Sequence, residues 1–259
     1  MKQKKFILSE SEIPTQWYNI QADMPNKPLP PLNPQTRQPL GWEDLAHIFP
    51  TECCKQELNT TDRFIDIPEP VLEKYKFYRS TPLVRAYELE KALDTPAHIY
   101  FKNESTNPLG SHKVNSALAQ CYYAKQEGTT NVTTETGAGQ WGAALSYAAR
   151  VFGLEAAVYQ VKISMLQKPY RSSIMRTFGA TVEGSPSMST RAGKDIITKN
   201  PMHMGSLGTA ISEAVELAIT TPNCKYTLGS VLNHVALHQS IIGLEAEKQI
   251  GRASCRERV

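Results

Sequence analysis

The chain has no apolar run approaching the roughly 20 residues a membrane helix needs, and Phe6-Ile7-Leu8 is far too short for a signal-peptide core. Nor does it carry charge of one sign in quantity: the formal net charge is +3 and the only compact basic run is Lys2 to Lys5. Such a run suits a solvated N-terminus, and a nucleic-acid or membrane partner has little support. A cytoplasmic protein is the expectation. The five cysteines (Cys53, Cys54, Cys121, Cys224, Cys255) include one adjacent pair and show neither metal-finger nor redox spacing, so buried or incidental thiols are expected. His234 and His238 stand at i, i+4 without the glutamate of a zinc-protease helix, which favours a structural pair over a metal site. Also missing is the G-x-x-x-x-G-K-[ST] of a nucleotide phosphate loop, so nucleotide chemistry of that kind is unsupported.

What the chain does have is an ordinary apolar fraction, 41% over 259 residues, enough for one large or two ordinary domains. Six prolines between residues 24 and 39 deny helix and sheet their N–H donors and predict an extended surface arm. Leu45, Ile48 and Phe49 suggest a short helix, Val71 to Tyr78 another, and Ser80-Thr81-Pro82-Leu83 opens the main body. From residue 97 strand and helix patterns alternate. His98 to Lys102 is β-rich, and Val114, Ala117, Leu118, Cys121 and Tyr122 mark one helical face ending at Gly128. Strands are expected over 131–135, 156–161 and 180–183, and helices from Trp141 to Phe152, before Gly153, and over 169–178. A helix over about 207–220, a strand and turn over 225–230 and a helix from Ser240 to Ile250 follow, whereas 251–259 breaks the apolar period. This alternation means βαβ units, hence an α/β fold whose parallel sheet binds ligands beyond the carboxyl ends of its strands.

Two motifs meet the needs of one chemistry. Gly110-Ser111-His112-Lys113 places an amine at a helix start, where the positive end of the peptide dipoles disfavours a second positive charge. A neutral amine is the nucleophile that Schiff-base formation requires. Glu135-Thr136-Gly137-Ala138-Gly139-Gln140-Trp141 ends a strand at the ligand edge and leads into a helix, so that its small residues and free N–H groups can cradle a carboxylate or phosphate. Read locally, Lys113 is equally an ordinary surface lysine and the glycines a tight turn beside a solvated Glu135. Together they suit a pyridoxal-phosphate enzyme acting on an amino acid.

Asn107 to Asn115 and Glu135 to Gly142 resemble the cofactor-lysine and carboxylate-loop motifs of the tryptophan synthase β chain, closest to its second, long-form class. Val161 to Ser164, Gln167 to Arg171, Gly205 to Gly208 and Leu228 to His234 resemble the same class. The resemblance implies the three-layer parallel sheets of fold type II, and condensation of L-serine with indole, derived from indole-3-glycerol phosphate, to L-tryptophan and water. Lys113 would hold pyridoxal 5'-phosphate as a Schiff base and abstract the serine α-proton. Glu135 would assist departure of the hydroxyl and orient the indole nitrogen. Thr136, Gly137, Ala138, Gly139 and Gln140 would bind the substrate carboxylate, with Gln140 also counted among the cofactor contacts, and His112 would lie against the cofactor phosphate. No metal ligand is expected here; a monovalent cation belongs to the full-length parent. A homodimer is expected, with an α-type subunit compatible but not required.

The division implied is an N-terminal extension over 1–79, a lysine-bearing start of the catalytic body over 80–127, a mobile subdomain over 128–215 and a partial C-terminal domain over 216–250. Residues 251–259 resemble a translated adapter tail more than native protein. The family's glycine-rich G-G-G-S-N phosphate loop is absent from the chain. A truncated second domain, weak cofactor binding and poor turnover are the corresponding expectations. Two other readings stay open: another fold-type II enzyme, of the serine/threonine dehydratase or threonine synthase kind, and a non-catalytic interaction module working through the proline-rich arm.

Overall fold

A computed structural model describes residues 3–256, with side chains through Ala253. The first part of the chain forms short elements: β1 (Lys5–Phe6), β2 (Gln16–Tyr18), α1 (Trp42–Ala46), α2 (Thr51–Leu58), β3 (Phe64–Asp66), α3 (Glu69–Lys76), β4 (Leu83–Arg85), α4 (Tyr87–Ala92) and β5 (Tyr100–Lys102). The proline-rich stretch carries only an isolated bridge between Leu32 and Pro39, as its missing N–H donors dictate. Longer elements follow: α5 (Val114–Gln126), β6 (Asn131–Thr136), α6 (Gln140–Phe152), β7 (Glu155–Val161), α7 (Lys162–Gln167), α8 (Pro169–Thr177), β8 (Thr181–Ser185), α9 (Arg191–Lys199), α10 (Leu207–Thr220), β9 (Cys224–Tyr226) and α11 (Asn233–Arg256).

Strands β8, β7, β6 and β9 form a parallel sheet in that order. Its register sets Glu135 beside Tyr159 and Thr133 beside Tyr226. Because successive strand residues face opposite ways, Val132, Val158 and Val182 join the core formed with α5, α6 and α8. Tyr159, Val161 and Tyr226 point the other way, into a second apolar cluster under α10. Helices therefore cover both faces, the three-layer arrangement expected of a parallel sheet.

Several expectations change. The strand over 98–102 is present as β5 but pairs antiparallel with β4, which pairs with β1 on its other edge, in a separate sheet. The link between β4 and β5 holds only the short α4, and antiparallel neighbours need no long crossover. Lys113 thus follows an irregular loop and the 3₁₀ turn Glu104–Thr106 rather than a strand. The last helix starts at Asn233, ahead of Ser240, and continues through residues expected to break it, as far as Arg256. Tertiary packing extends it: Ala253 is buried against Phe6 and Leu83, and Gln249 donates to the carbonyls of Phe6 and Thr81, both at 2.9 Å. Residues 257–259 of the expected tail lie outside the described residues. The helix α10 runs across residue 215, where a division was expected, and β9 beyond it completes the same sheet.

His234 and His238 are both buried on α11. His234 Nδ1 lies 3.0 Å from the Glu57 carboxylate, and His238 bridges Gln56 at 2.8 Å and Ser116 at 3.1 Å. The pair ties α11 to α2 and α5.

Candidate functional site

Two local devices bring the motifs to the carboxyl edge of the sheet. The first is the loop ahead of α5. The Asn107 side chain, buried, accepts from the N–H groups of Leu109 (3.0 Å) and Ser111 (3.2 Å) and donates to the carbonyls of Glu104 (2.6 Å) and Ser111 (2.8 Å). This fixes the turn that ends on Lys113, the N-cap of α5. The second is the junction of β6 and α6. There Gly139 caps the helix at φ 94°, a left-handed conformation that glycine adopts at no steric cost, and a Cβ at this position would stand 2.6 Å from Arg171 Cβ.

Lys113, Glu135, Thr136, Gly137, Ala138 and Gln140 line one cleft of about 220 Å³. All six were singled out in the sequence, and the fold brings them together from two helix starts and a strand end. Gly139 is buried, and His112 is exposed next to Lys113; neither is among the cleft-lining residues. Two larger openings, about 790 and 490 Å³, lie by Asn223 and Cys224 and by Asn131, Glu155 and Thr181, at the amino ends of the strands. That is the edge away from which α/β ligands bind.

The cleft alters its ionisable groups. Burial lowers the Lys113 amine below its ordinary value, with the Glu135 charge pulling the other way. Desolvation is thus a cause of the lowered amine beyond the helix start read from the sequence. Burial raises Glu135 above the usual carboxylate value, opposed by the hydrogen bond from Tyr226. His112 is lowered by burial and then by the Lys113 charge. The result is an amine and a carboxyl group that both lean toward their neutral forms, within one cleft.

The third wall comes from α6, α10 and the turn after β9, residues that lie in the quoted motifs but had been given no site role. Trp141, Leu207, Gly229 and Ser230 complete the cleft, and Lys113 Nζ donates to the Gly229 carbonyl at 3.0 Å. Gly229 is required there: a Cβ would lie 2.3 Å from the Trp141 ring. Trp141 Nε1 in turn donates to Thr134 Oγ1 at 2.6 Å, and Thr134 donates to the Thr227 carbonyl at 2.6 Å. From α5, the Gln120 amide accepts from Leu228 N (3.2 Å) and donates to Leu228 O (2.9 Å). Val231 sits in the left-handed region at φ 77°, a disfavoured place for a β-branched residue, so this wall also stores backbone strain. The available signal was the turn Leu228-Gly229-Ser230 directly after a short strand. Tyr226 was missed as well; its hydroxyl donates to the Glu135 carboxylate.

A family profile described as "Pyridoxal-phosphate dependent enzyme" matches residues 75–255. The chain belongs to this family. Its curated relatives include tryptophan synthase beta chain 2 of Thermotoga maritima, 56% identical over 94% of this chain and 57% of the relative. The protein of the same name from Methanosarcina mazei is 54% identical over 96% of this chain and 56% of the relative. The chain thus spans somewhat more than half the length of the curated relatives it matches. Among solved structures, a fungal L-serine ammonia-lyase from Rhizomucor miehei superposes with a TM-score of 0.52 at 24% identity, covering 67% of this chain and 47% of that one, a likeness of fold.

The family's cofactor is pyridoxal 5'-phosphate, and this donor set fits an aldehyde. A partly desolvated primary amine faces a cleft, held by a neutral carbonyl at 3.0 Å. Among the described residues no group of three or more His, Cys, Asp or Glu is placed to hold a metal ion, and no helix is long and apolar enough to cross a membrane.

Proposed function

We propose that the protein represented by this chain is a tryptophan synthase β-type lyase that joins L-serine to indole, releasing water. The observation that carries this reading is the shared cleft of Lys113 and Glu135, closed by the 136–140 loop. It is supported by relatives more than 50% identical that bear that name. Pyridoxal phosphate, when bound, supplies the electron sink that labilises bonds at the amino-acid α-carbon.

The chain's own residues divide the remaining work. Lys113, whose amine partial burial disposes to release its proton more readily than a solvated lysine, is the amine that would link to the cofactor and afterwards take the α-proton of serine. Thr136, Gly137, Ala138, Gly139 and Gln140 bind the serine carboxylate; the first N–H groups of α6 have no intrahelical acceptors and lie at the positive end of its dipole. Glu135, biased toward its protonated form, gives a proton to the departing hydroxyl, which leaves as water. The carboxylate so formed then accepts the indole N–H and orients the ring for bond formation. His112 and Gln140 are assigned to the cofactor, His112 at its phosphate end. The loop and 128–215 are taken as the part that shields the reacting carbon from water. A cytoplasmic homodimer receiving free indole completes the reading, and an α-type subunit is compatible with it.

Turnover tests this in the protein extended to the length of its relatives, supplied with pyridoxal phosphate, L-serine and indole. Lys113→Ala is expected to abolish tryptophan formation. Glu135→Ala should lower kcat about 10²-fold or more, as expected for loss of a positioned acid. Rapid ammonia and pyruvate release from serine, unaffected by indole, would favour a dehydratase instead.

A further inference from the structure

The Glu135 carboxylate does not stand alone in its cleft, and the residue that holds it is itself held from outside the family-matched region. Tyr226, on the edge strand β9, is buried and donates its hydroxyl to Glu135 Oε2. Tyr226 is itself held from the N-terminal segment. Its N–H donates to the Ile48 carbonyl at 2.9 Å, and the Phe49 ring packs on the phenol ring with centroids 5.4 Å apart. One residue earlier, Lys225 Nζ donates to the Ala46 carbonyl, so the strip between α1 and α2 grips β9 along its free edge. Ile48 and Phe49 precede residue 75, where the family match begins.

We propose that Tyr226 is a positioning residue for the Glu135 carboxyl group, and that Phe49 acts on Glu135 through Tyr226. The N-terminal segment then contributes to the active site without touching substrate. The inference rests on the proposed role of Glu135, yet its test needs neither cofactor nor turnover.

The arrangement makes physical sense for an acid that must change charge during a reaction. The terminal torsion of a glutamate is broad, so a buried carboxyl group keeps one orientation only when a hydrogen bond fixes one of its oxygens. The Tyr226 hydroxyl pins Oε2 in both protonation states and favours the ionised one, opposing the burial that favours the neutral one. The other charged group acting on Glu135 is Lys113 across the cleft; Tyr159 is its neighbour in register on β7, with its hydroxyl against Ser189. Beyond Phe49 stands His234, whose ring is 6.4 Å away. Phe49 supplies no charge or hydrogen bond, so any influence it has on Glu135 passes through the phenol it packs on.

The purified cofactor-free chain, labelled with ¹³C at glutamate side chains and with the Glu135 resonance assigned by Glu135→Gln, allows a direct titration. Tyr226→Phe keeps the ring and deletes only the donor; the Glu135 midpoint is expected to move upward. Phe49→Ala is expected to move it the same way, and to add nothing in the Tyr226→Phe background. Should Phe49→Ala fail to fold by circular dichroism, Phe49→Leu takes its place in the same cycle. An unchanged midpoint in Tyr226→Phe overturns the proposal, and a Phe49 effect that is undiminished without the hydroxyl overturns the coupling. These outcomes are separate from the proposed reaction, which would fail through the absence of tryptophan while the titration behaved as stated.

Discussion

At the residue scale, the site keeps two groups in states that cost the folded chain stability. Glu135 is the clearer case, because its carboxyl is nearly inaccessible and raised mainly by burial. A folded-state value above the unfolded one means stability that is fully present below the ordinary glutamate value of 4.5 and is lost as pH rises through the raised one. Glu135→Gln keeps an acceptor for Tyr226 and cannot ionise. It should leave denaturant stability unchanged near pH 4 and increase it at alkaline pH, while removing the acid the reaction needs. Equal stabilisation at both ends of the range would contradict this account. The trade between stability and activity is the usual one for a working site.

At the element scale, a buried charge network fastens the last helix to the antiparallel sheet and to the lysine loop. Glu245, on α11, accepts from Arg79 Nε at 2.6 Å and from Lys102 Nζ at 2.6 Å, and Glu104 takes the other side of the Arg79 guanidinium at 3.2 Å. Arg79 also donates to the Asn115 side chain at 2.9 Å, two residues after Lys113. Glu245→Ala leaves two cations buried with fewer partners and should cost about 3–5 kcal/mol in urea unfolding, against near-neutral exposed substitutions on the same helix. None of this was legible beforehand. The β6–α6–β7–α8–β8 series was legible, since its helices repeat near 3.6 residues and its strands are bounded by glycine. Strands of two or three residues such as β1 and β4 are too short to show alternation, and their pairing, like that of β5, depends on contacts distant in sequence. For the same reason Lys113, Glu135 and the 136–140 loop could be found from local pattern. Tyr226 and Gly229 could not, because only the parallel register of β6 with β9 carries them to the site.

At the scale of the whole molecule, carboxylates that serve as structural anchors should set the response to acid. Burial, the largest single influence, pushes Glu57 and Glu104 upward, but the lowering contacts together outweigh it, led by the hydrogen bond with His234 in the first case and the Arg79 charge in the second, and both end below the ordinary value. Depressed folded-state values give stability that is present above about 4.5 and lost as pH falls through them. The denaturant midpoint should therefore decline steeply below pH 4.5, and less steeply in Glu104→Gln, which is already weakened at neutral pH. The N-terminal segment, the parallel sheet and α11 are bound together by such anchors, and together they present one amine to the cleft. The most direct test of that central claim is to incubate the purified chain with pyridoxal phosphate, trap the imine with borohydride and map the reduced adduct by peptide mass spectrometry. The account predicts modification at Lys113 under limiting cofactor, lost in Lys113→Ala without appearing at another lysine. An adduct spread over surface lysines and unchanged by that substitution would contradict it.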